Sequence, residues 1–315
     1  MFKSRVAAFC GVFAAILVSA PVVAIPSLAQ AQTTAQRNNL FQAPPNRRSQ
    51  DRRSRERVPP QTTEAPALSL ANAQAALTAA NTDCQATEAK FLGQLEGDAS
   101  LYEAVCASGP GYLVITSTPP QAVDCIIVSA SAEAKRAEDP NADVGTLCTL
   151  PANVDQTAVY AGYARQAGLT CRVDQGRPVG RSPGGQMIHE IGCADADGAW
   201  VEMKDGAWTA TPCLEVMATA GQCQFSTKQE QISDLQTLLA PSNASDCVVT
   251  DLRPVGRNER GKYVEAKCAA AGDGYMARIQ EGVVQDVYHC NVAQPIAGGC
   301  RLTTVGAGAA AQTQR

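Results

Sequence analysis

The sequence predicts an α+β chain of three tandem, disulfide-stapled repeats, each a helix followed by about four short antiparallel β-strands. Three observations predict it: cysteines recur in sets of four, hairpin-like alternation fills the spaces between them, and a helical pattern precedes each set. The sets are Cys84, Cys106, Cys125 and Cys148; Cys171, Cys193, Cys213 and Cys223; and Cys247, Cys268, Cys290 and Cys300. The second and third are offset by 76, 75, 77 and 77 residues. The first and second are offset by 87, 87, 88 and 75, because 13 extra residues lie between Cys125 and Cys148. The flanks recur as well. Glu103, Glu190 and Glu265 each stand three residues before a second cysteine, and Gly111-Tyr112, Gly198-Ala199-Trp200 and Gly274-Tyr275 follow it. Agreement at so many positions marks a repeat of whole supersecondary units.

The chain opens MFKSRVAAFCGVFAAILVSAPVVAIPSLAQAQ. Lys3 and Arg5, an apolar run from about Val6 to Val18, and the small-x-small site Ala29-Gln30-Ala31 predict a signal peptide over residues 1–31. The run is too short for a membrane anchor, and no later stretch is apolar enough to span a bilayer. The expected location is therefore periplasmic or secreted. Cleavage would remove Cys10, which lacks the context of a lipoprotein site, and leave twelve cysteines. An even number in an oxidising compartment predicts a disulfide framework. Beyond the signal the chain has only three Phe, two Trp and seven Tyr, a thin core of the kind that needs covalent staples.

Residues 32–66 carry seven Arg against Asp51, Glu56 and Glu64, with paired prolines and almost no apolar periodicity. They read as a disordered arm of net charge +4, whereas the chain from residue 67 onward has a balance of −10. A solvated linker accounts for this composition. The sharper expectation is that Arg47, Arg48, Arg52, Arg53, Arg55 and Arg57 tether the body to a cell-wall polymer, anionic lipid or an envelope protein. Nucleic acid is not expected as a partner, because no aromatics are interleaved with the arginines for bases to stack on. Residues 305–315 read as a disordered tail.

The repeats are placed at 67–150, 151–225 and 226–304. Repeat 1 opens with an Ala-rich helical stretch over 69–80. Repeat 2 opens with one over 153–168, where Val159 and Tyr163 stand four apart. In repeat 3, Thr227-x-x-Glu230 is a capping box, Ile232, Leu235 and Leu239 share a face, and Pro241 is a stop. After each first cysteine comes a common pattern, basic-x-apolar-Gly. It reads RPVGR at 177–181 and again at 253–257, and Lys90-Phe91-Leu92-Gly93-Gln94 in repeat 1. The turns EGD (96–98), SPGG (182–185) and NERG (258–261) follow, so each stretch predicts a hairpin. Proline in mid-strand confines the first strand to a sheet edge, and the glycine suits a bulge. The alternative is a recognition loop used twice, made by Arg177, Arg181, Arg253 and Arg257. A second hairpin in repeat 2 turns at Asp205-Gly206, between alternating runs at 199–204 and 207–211.

Four cysteines per repeat allow three pairings. Hairpin geometry favours first-to-second and third-to-fourth, since Cys171 starts one strand and Cys193 ends its partner. Strand parity puts both on the core face with Val173 and Ile191.

The chemistry signals are sparse. No CxxC is present, and the intervals of 10 to 23 residues between cysteines of a set do not resemble zinc sites. His189 and His289 are the two histidines, at non-equivalent positions, and read as structural. No GxSxG, HExxH, Walker or dinucleotide-binding pattern occurs, so neither cofactor nor metal is expected. Glu103, Glu190 and Glu265 invite a general-acid or ligand role, but one copy per repeat argues for a structural one. Parity places them opposite the cysteines, solvated or paired. Pairs Arg177–Glu190 and Arg253–Glu265 across the hairpin require a bulge. Tyr112, Trp200 and Tyr275 read as core fillers. The resulting expectation is an exported, non-enzymatic repeat protein of a bacterial cell envelope with a binding or structural role. One rival is a disulfide-rich hydrolase inhibitor presenting Arg181-Ser182 or Arg257-Asn258 at braced tips. The other is an enzyme, which requires one deep pocket with perturbed ionisable groups that the other repeats lack.

Overall fold

In chain order the elements are α1 (Pro66–Ala79), β1 (Ala86–Gln94), β2 (Ser100–Cys106), β3 (Tyr112–Ile115), β4 (Gln121–Asp124) and α2 (Cys125–Glu138). Next come α3 (Pro151–Val154), α4 (Thr157–Gln166), β5 (Val173–Arg181), β6 (Met187–Cys193), β7 (Ala196–Lys204), β8 (Ala207–Pro212) and α5 (Cys213–Met217). The last are α6 (Lys228–Leu239), β9 (Val249–Asn258), β10 (Gly261–Cys268), β11 (Gly274–Gln280) and β12 (Val283–His289). This computed structural model describes residues 64–270 and 272–303. The expected signal peptide, the arginine cluster at 47–57 and the tail at 305–315 lie outside the described residues. The strands form three antiparallel four-stranded meanders: sheet I is β1-β2-β3-β4, sheet II is β5-β6-β7-β8, and sheet III is β9-β10-β11-β12.

The helix boundaries follow from local hydrogen bonding. The first helix begins three residues earlier than the Ala-rich pattern suggests, with Pro66 in its first turn. The Glu64 carboxylate accepts from Ser69 Oγ at 3.0 Å and from Asn72 Nδ2 at 2.8 Å. Residues 64–66 therefore start this helix rather than end the arm. The helix expected over 153–168 is two pieces, α3 and α4. They break where the Asp155 carboxylate accepts the Thr157 N–H at 3.0 Å and starts a new turn. The capping box of α6 is made in both directions, Glu230 N to Thr227 Oγ1 at 3.2 Å and Thr227 N to Glu230 Oε2 at 2.7 Å.

The edge strands β1, β5 and β9 each carry a register shift just before the hairpin tip, leaving Leu92, Val179 and Val255 unpaired. These are bulges, and the glycine of the common pattern stands beside each. Gly93 has φ +154° and Gly256 has φ +146°, a region that disfavours side chains. RPVGR is thus an edge strand with its bulge. Between this shift and a second one nearer the cysteines, at Ala86/Glu88, Val173/Gln175 and Lys267/Cys268, Lys90 stands opposite Glu103, Arg177 opposite Glu190 and Arg253 opposite Glu265. The β7–β8 turn has Asp205 at φ 51° and Gly206 at φ 83°, the two left-handed residues that a type I′ hairpin needs. Glu281 and Gly282 do the same between β11 and β12 with φ 53° and 72°.

One face of each sheet is covered by the preceding helix. Ala73, Ala76 and Leu77 pack over Tyr102, Ala104 and Val114. Tyr160 and Ala164 pack over Ile191 and Val201, and Leu235 and Leu239 over Leu252, Val264, Ala277 and Ile279. The residue after each third cysteine leaves its own sheet. Ile126 is buried in the core of sheet II, and Leu214 in that of sheet III. Burying each such side chain stabilises by roughly 1.5–3 kcal/mol, so these two insertions couple neighbouring sheets. In sheet III the same position is Asn291, and no described sheet follows it.

All six cysteine pairs lie at bonding distance, 1.91–2.04 Å between sulfurs, first to second and third to fourth in each set. The first-to-second bridges sit in the helix-side cores, and the third-to-fourth bridges close the loops beyond the last strand. Each contributes roughly 2–4 kcal/mol by constraining the unfolded chain. No described helix is long and apolar enough to cross a membrane.

Candidate functional site

Glu103, Glu190 and Glu265 are fully buried, so of the two expectations, solvated or paired, pairing holds for Glu190 and Glu265 and solvation for none. Each carboxylate is covered by the segment that follows the fourth cysteine. Glu103 Oε1 accepts from Thr149 N and Leu150 N, both at 2.7 Å, and from Asn153 Nδ2 at 2.9 Å. Its Oε2 accepts from Thr149 Oγ1 at 2.9 Å. Glu190 Oε1 accepts from Gln224 N and, at 2.8 Å, from Phe225 N, while Oε2 accepts from Arg177 Nε at 2.8 Å. Glu265 Oε1 accepts from Arg301 N at 2.8 Å, Leu302 N at 2.6 Å and Thr303 N at 3.2 Å, and Arg253 Nε donates to its Oε2 at 2.8 Å. A carboxylate is the one side chain that can take so many main-chain donors at once, because it only accepts.

The same carboxylates lie within 4.8 Å of both sulfurs of the third-to-fourth bridge, in all three sheets. A glutamate with two thiolates would suit a zinc ion. Here the sulfurs are bonded to each other and the oxygens are occupied by N–H donors. The cluster therefore clips a loop to a sheet.

The repeated arginines divide by position. Arg177 and Arg253 are committed to the buried glutamates, and Arg253 Nη2 also donates to Gly299 O at 2.8 Å. Arg181 and Arg257 are exposed near the hairpin tips. Arg181 is paired opposite Met187 in β5, and its guanidinium donates to Gly185 O at 2.7 Å. A recognition surface built on RPVGR would therefore have only its second arginine to offer. In sheet I, Lys90 stands at the first arginine's place and reaches Thr149 Oγ1 at 3.3 Å, while Asn153 supplies the side-chain donor that Glu103 uses.

Perturbed ionisable groups gather where the sheets meet. His189 is buried on sheet II beside Tyr160, Tyr163 and Trp208, and Tyr163 stacks on Trp208 with ring centres 4.2 Å apart. Burial holds its imidazole down at about 4, so it is neutral near pH 7. Burial pushes the Tyr160 and Tyr163 phenols well above their ordinary value. Asp124 caps α2 by accepting Ile127 N at 2.8 Å, and burial raises its carboxyl. Between sheets II and III, burial pushes Asp197 up to about 6, with Asp234 adding to the shift, and its Oδ2 accepts Leu214 N at 3.1 Å. Glu215, also buried there, accepts from Lys262 Nζ and Gly282 N, both at 2.5 Å. His289 instead meets Asp273 at 2.8 Å near the surface. Tyr112 and Tyr275 are half-buried against the cores of sheets I and III, which fits the filling role expected of them.

A groove of about 470 Å³ lies between sheets I and II, walled by α2, by the break between α3 and α4, and by the edge strand β5. Sequence reasoning missed it. One wall is α2, which takes up much of the added length between Cys125 and Cys148. The Asp124-to-Ile127 cap was the signal that could have found that helix. Comparison with family models, curated proteins and solved structures finds no match.

Proposed function

We propose that the chain is an exported, non-enzymatic array of three tandem repeats, 67–150, 151–225 and 226–304, with a binding or structural role in a bacterial cell envelope. The observation that carries this is the threefold recurrence of one stapling device. Each sheet has two bridges in the same pairing and one buried glutamate clipping the loop after the fourth cysteine. Chemistry used this way supports a structural role for each sheet. A chain this dependent on disulfides belongs in an oxidising compartment, as the opening residues suggest. His189, the histidine among the perturbed groups, is flanked by aromatic rings rather than by an orienting carboxylate, which gives an acyl-transfer reading nothing to build on.

The basic arm supplies attachment, by charge, to an anionic surface. The test is co-sedimentation of the purified protein with cell-wall sacculi and, separately, with anionic vesicles. It is run at low and high salt, with and without residues 32–63, which spares the Glu64 contacts of the first helix. Binding that salt or removal of the arm abolishes supports arm tethering. Binding that survives both assigns attachment to the sheets, and none at all removes the envelope-binding role.

A further inference from the structure

We infer that each buried glutamate makes the third-to-fourth bridge beside it selective for the charge of the thiol that opens it, resisting anionic thiols and yielding to cationic ones. In all three repeats the carboxylate lies within 4.8 Å of both sulfurs of its bridge. Glu103, Glu190 and Glu265 are each 0% exposed, so solvent ions screen that short distance poorly. Their hydrogen-bond partners all donate, as an ionised carboxylate requires. Among the described residues no carboxylate stands in this relation to a first-to-second bridge.

The exchange that opens a bridge brings negative charge to this place twice. A thiolate attacks one sulfur, the sulfur–sulfur bond breaks, and its electron pair leaves on the other sulfur as a thiolate. A second thiol then displaces the mixed disulfide, so two thiols become one disulfide and the bridge takes up two electrons and two protons. In each repeat the fourth cysteine, Cys148, Cys223 or Cys300, is half-buried, while the third, Cys125, Cys213 or Cys290, is at most 1% exposed. Attack from solvent therefore meets the fourth cysteine and leaves a thiolate on the third, buried beside the carboxylate. Two unit charges that close change a rate by more than about tenfold at the effective permittivity of a protein surface. A positive substituent on the attacking thiol offsets this repulsion, and a negative one adds to it. The three bridges are not equal. Arg177 and Arg253 pair with Glu190 and Glu265 and offset part of their charge, whereas Glu103 has no ion-pair partner among the described residues. Opening a bridge also loosens the clip, since the segment after the fourth cysteine is then held by the carboxylate's hydrogen bonds alone.

The experiment is native-state reduction of the purified protein, its six disulfides formed, by cysteamine, which carries an ammonium group, and by mercaptoethanesulfonate, which carries a sulfonate. Samples are alkylated at intervals, and the opened bridges are identified by peptide mass spectrometry. Each rate is expressed per thiolate and divided by the same thiol's rate with hydroxyethyl disulfide, which removes their difference in reactivity. Salt at about 0.3 M screens the negative field of the whole body but not a contact this short. The cysteamine-to-sulfonate ratio is expected to exceed about tenfold at Cys125–Cys148 and to be smaller at Cys213–Cys223 and Cys290–Cys300. Glu103→Gln removes the charge and keeps an accepting oxygen for Thr149 N and Leu150 N, and is expected to bring the ratio at Cys125–Cys148 close to one. Glu103→Asp shortens the side chain and weakens the clip but keeps the charge, and is expected to keep the ratio high. A merely structural glutamate predicts the reverse ranking of the two variants. A ratio near one in the parent, a ratio that survives Glu103→Gln or is lost in Glu103→Asp, the largest ratio at an arginine-paired bridge, or no reduction by either thiol would each overturn the assignment.

Discussion

Where sheet I meets sheet II, Ile126 enters the neighbouring core from the first turn of a 14-residue helix; where sheet II meets sheet III, Leu214 does so from a 5-residue one. The insertion is the same, and what surrounds it differs. At the first joint the long helix and the edge strand wall an open groove, and its Glu133, Arg136 and Asp174 have no ion-pair partner among the described residues. At the second, Glu215 is buried against Lys262 and Gly282, Asp197 is half-buried near Asp234, and the space left is about 150 Å³. One apolar residue is inserted at each joint. The length of the helix that carries it decides whether the joint also offers a cavity.

The largest effect separates the clips from the joints. Glu265→Ala strands the Arg253 guanidinium and three main-chain N–H groups, and is expected to lower stability by about 3–5 kcal/mol in chemical denaturation. Glu103→Ala strands no buried arginine, so its loss is expected to be smaller, roughly 1–3 kcal/mol. It frees Asn153 at the start of the next helix, however, so the first joint should loosen in hydrogen exchange, which Glu265→Ala should not cause.

Next come the insertions. Leu214→Ala and Ile126→Ala each leave a cavity in a neighbouring core and should cost about 2–5 kcal/mol in the same assay. Comparable losses would confirm equal coupling. A much smaller loss at Ile126 would show that the first joint depends on its insertion less than the second does.

The two regions should also answer pH in opposite senses. Asp197 titrates in the folded protein at about 6, above its ordinary 3.8, so the folded state holds the extra proton between those values. Its contribution is fully present at low pH and is lost as pH rises through about 6. His189 titrates at about 4, below its ordinary 6.5, so there the unfolded state holds the extra proton. Its contribution is present above pH 6.5 and is lost as pH falls toward 4. Asp197→Asn should therefore raise Tm at pH 7.5 relative to pH 5, and His189→Gln should flatten the acid side. The same pH response in both variants would contradict the separation.

The smallest effect is the control. Lys228 and Asp251 meet at 2.5 Å, but the lysine side chain is 62% exposed, so Lys228→Ala should change stability by less than about 1 kcal/mol in either direction.

Much of this was legible beforehand because it is local or periodic. Hairpins, the α6 capping box, the Asp205-Gly206 turn and the first-to-second bridge all join residues whose spacing along the chain sets their geometry. The bulge near the tip was legible from proline and glycine in one strand, while the second bulge, on the cysteine side, which turns Arg177 and Arg253 toward Glu190 and Glu265, carried no such mark. The depth of the glutamates was not. Parity shows which face a strand residue points to, but here a loop some 35 to 50 residues further on closes over that face. The groove was equally hidden, since it lies between two sheets and needs a helix that the cysteine spacing revealed only as extra length.

The sequence by itself determined the three sets of four cysteines, the strand and turn pattern between them, and the pairing that hairpin geometry favours, because each depends on neighbours along the chain. The tertiary structure alone decided that Ile126 and Leu214 belong to the next sheet's core, that Glu103, Glu190 and Glu265 are sealed from water, and that Tyr160 is buried with no hydrogen-bond partner for its hydroxyl among the described residues. Burial is a property of what arrives from elsewhere in the chain, and no local spacing encodes it.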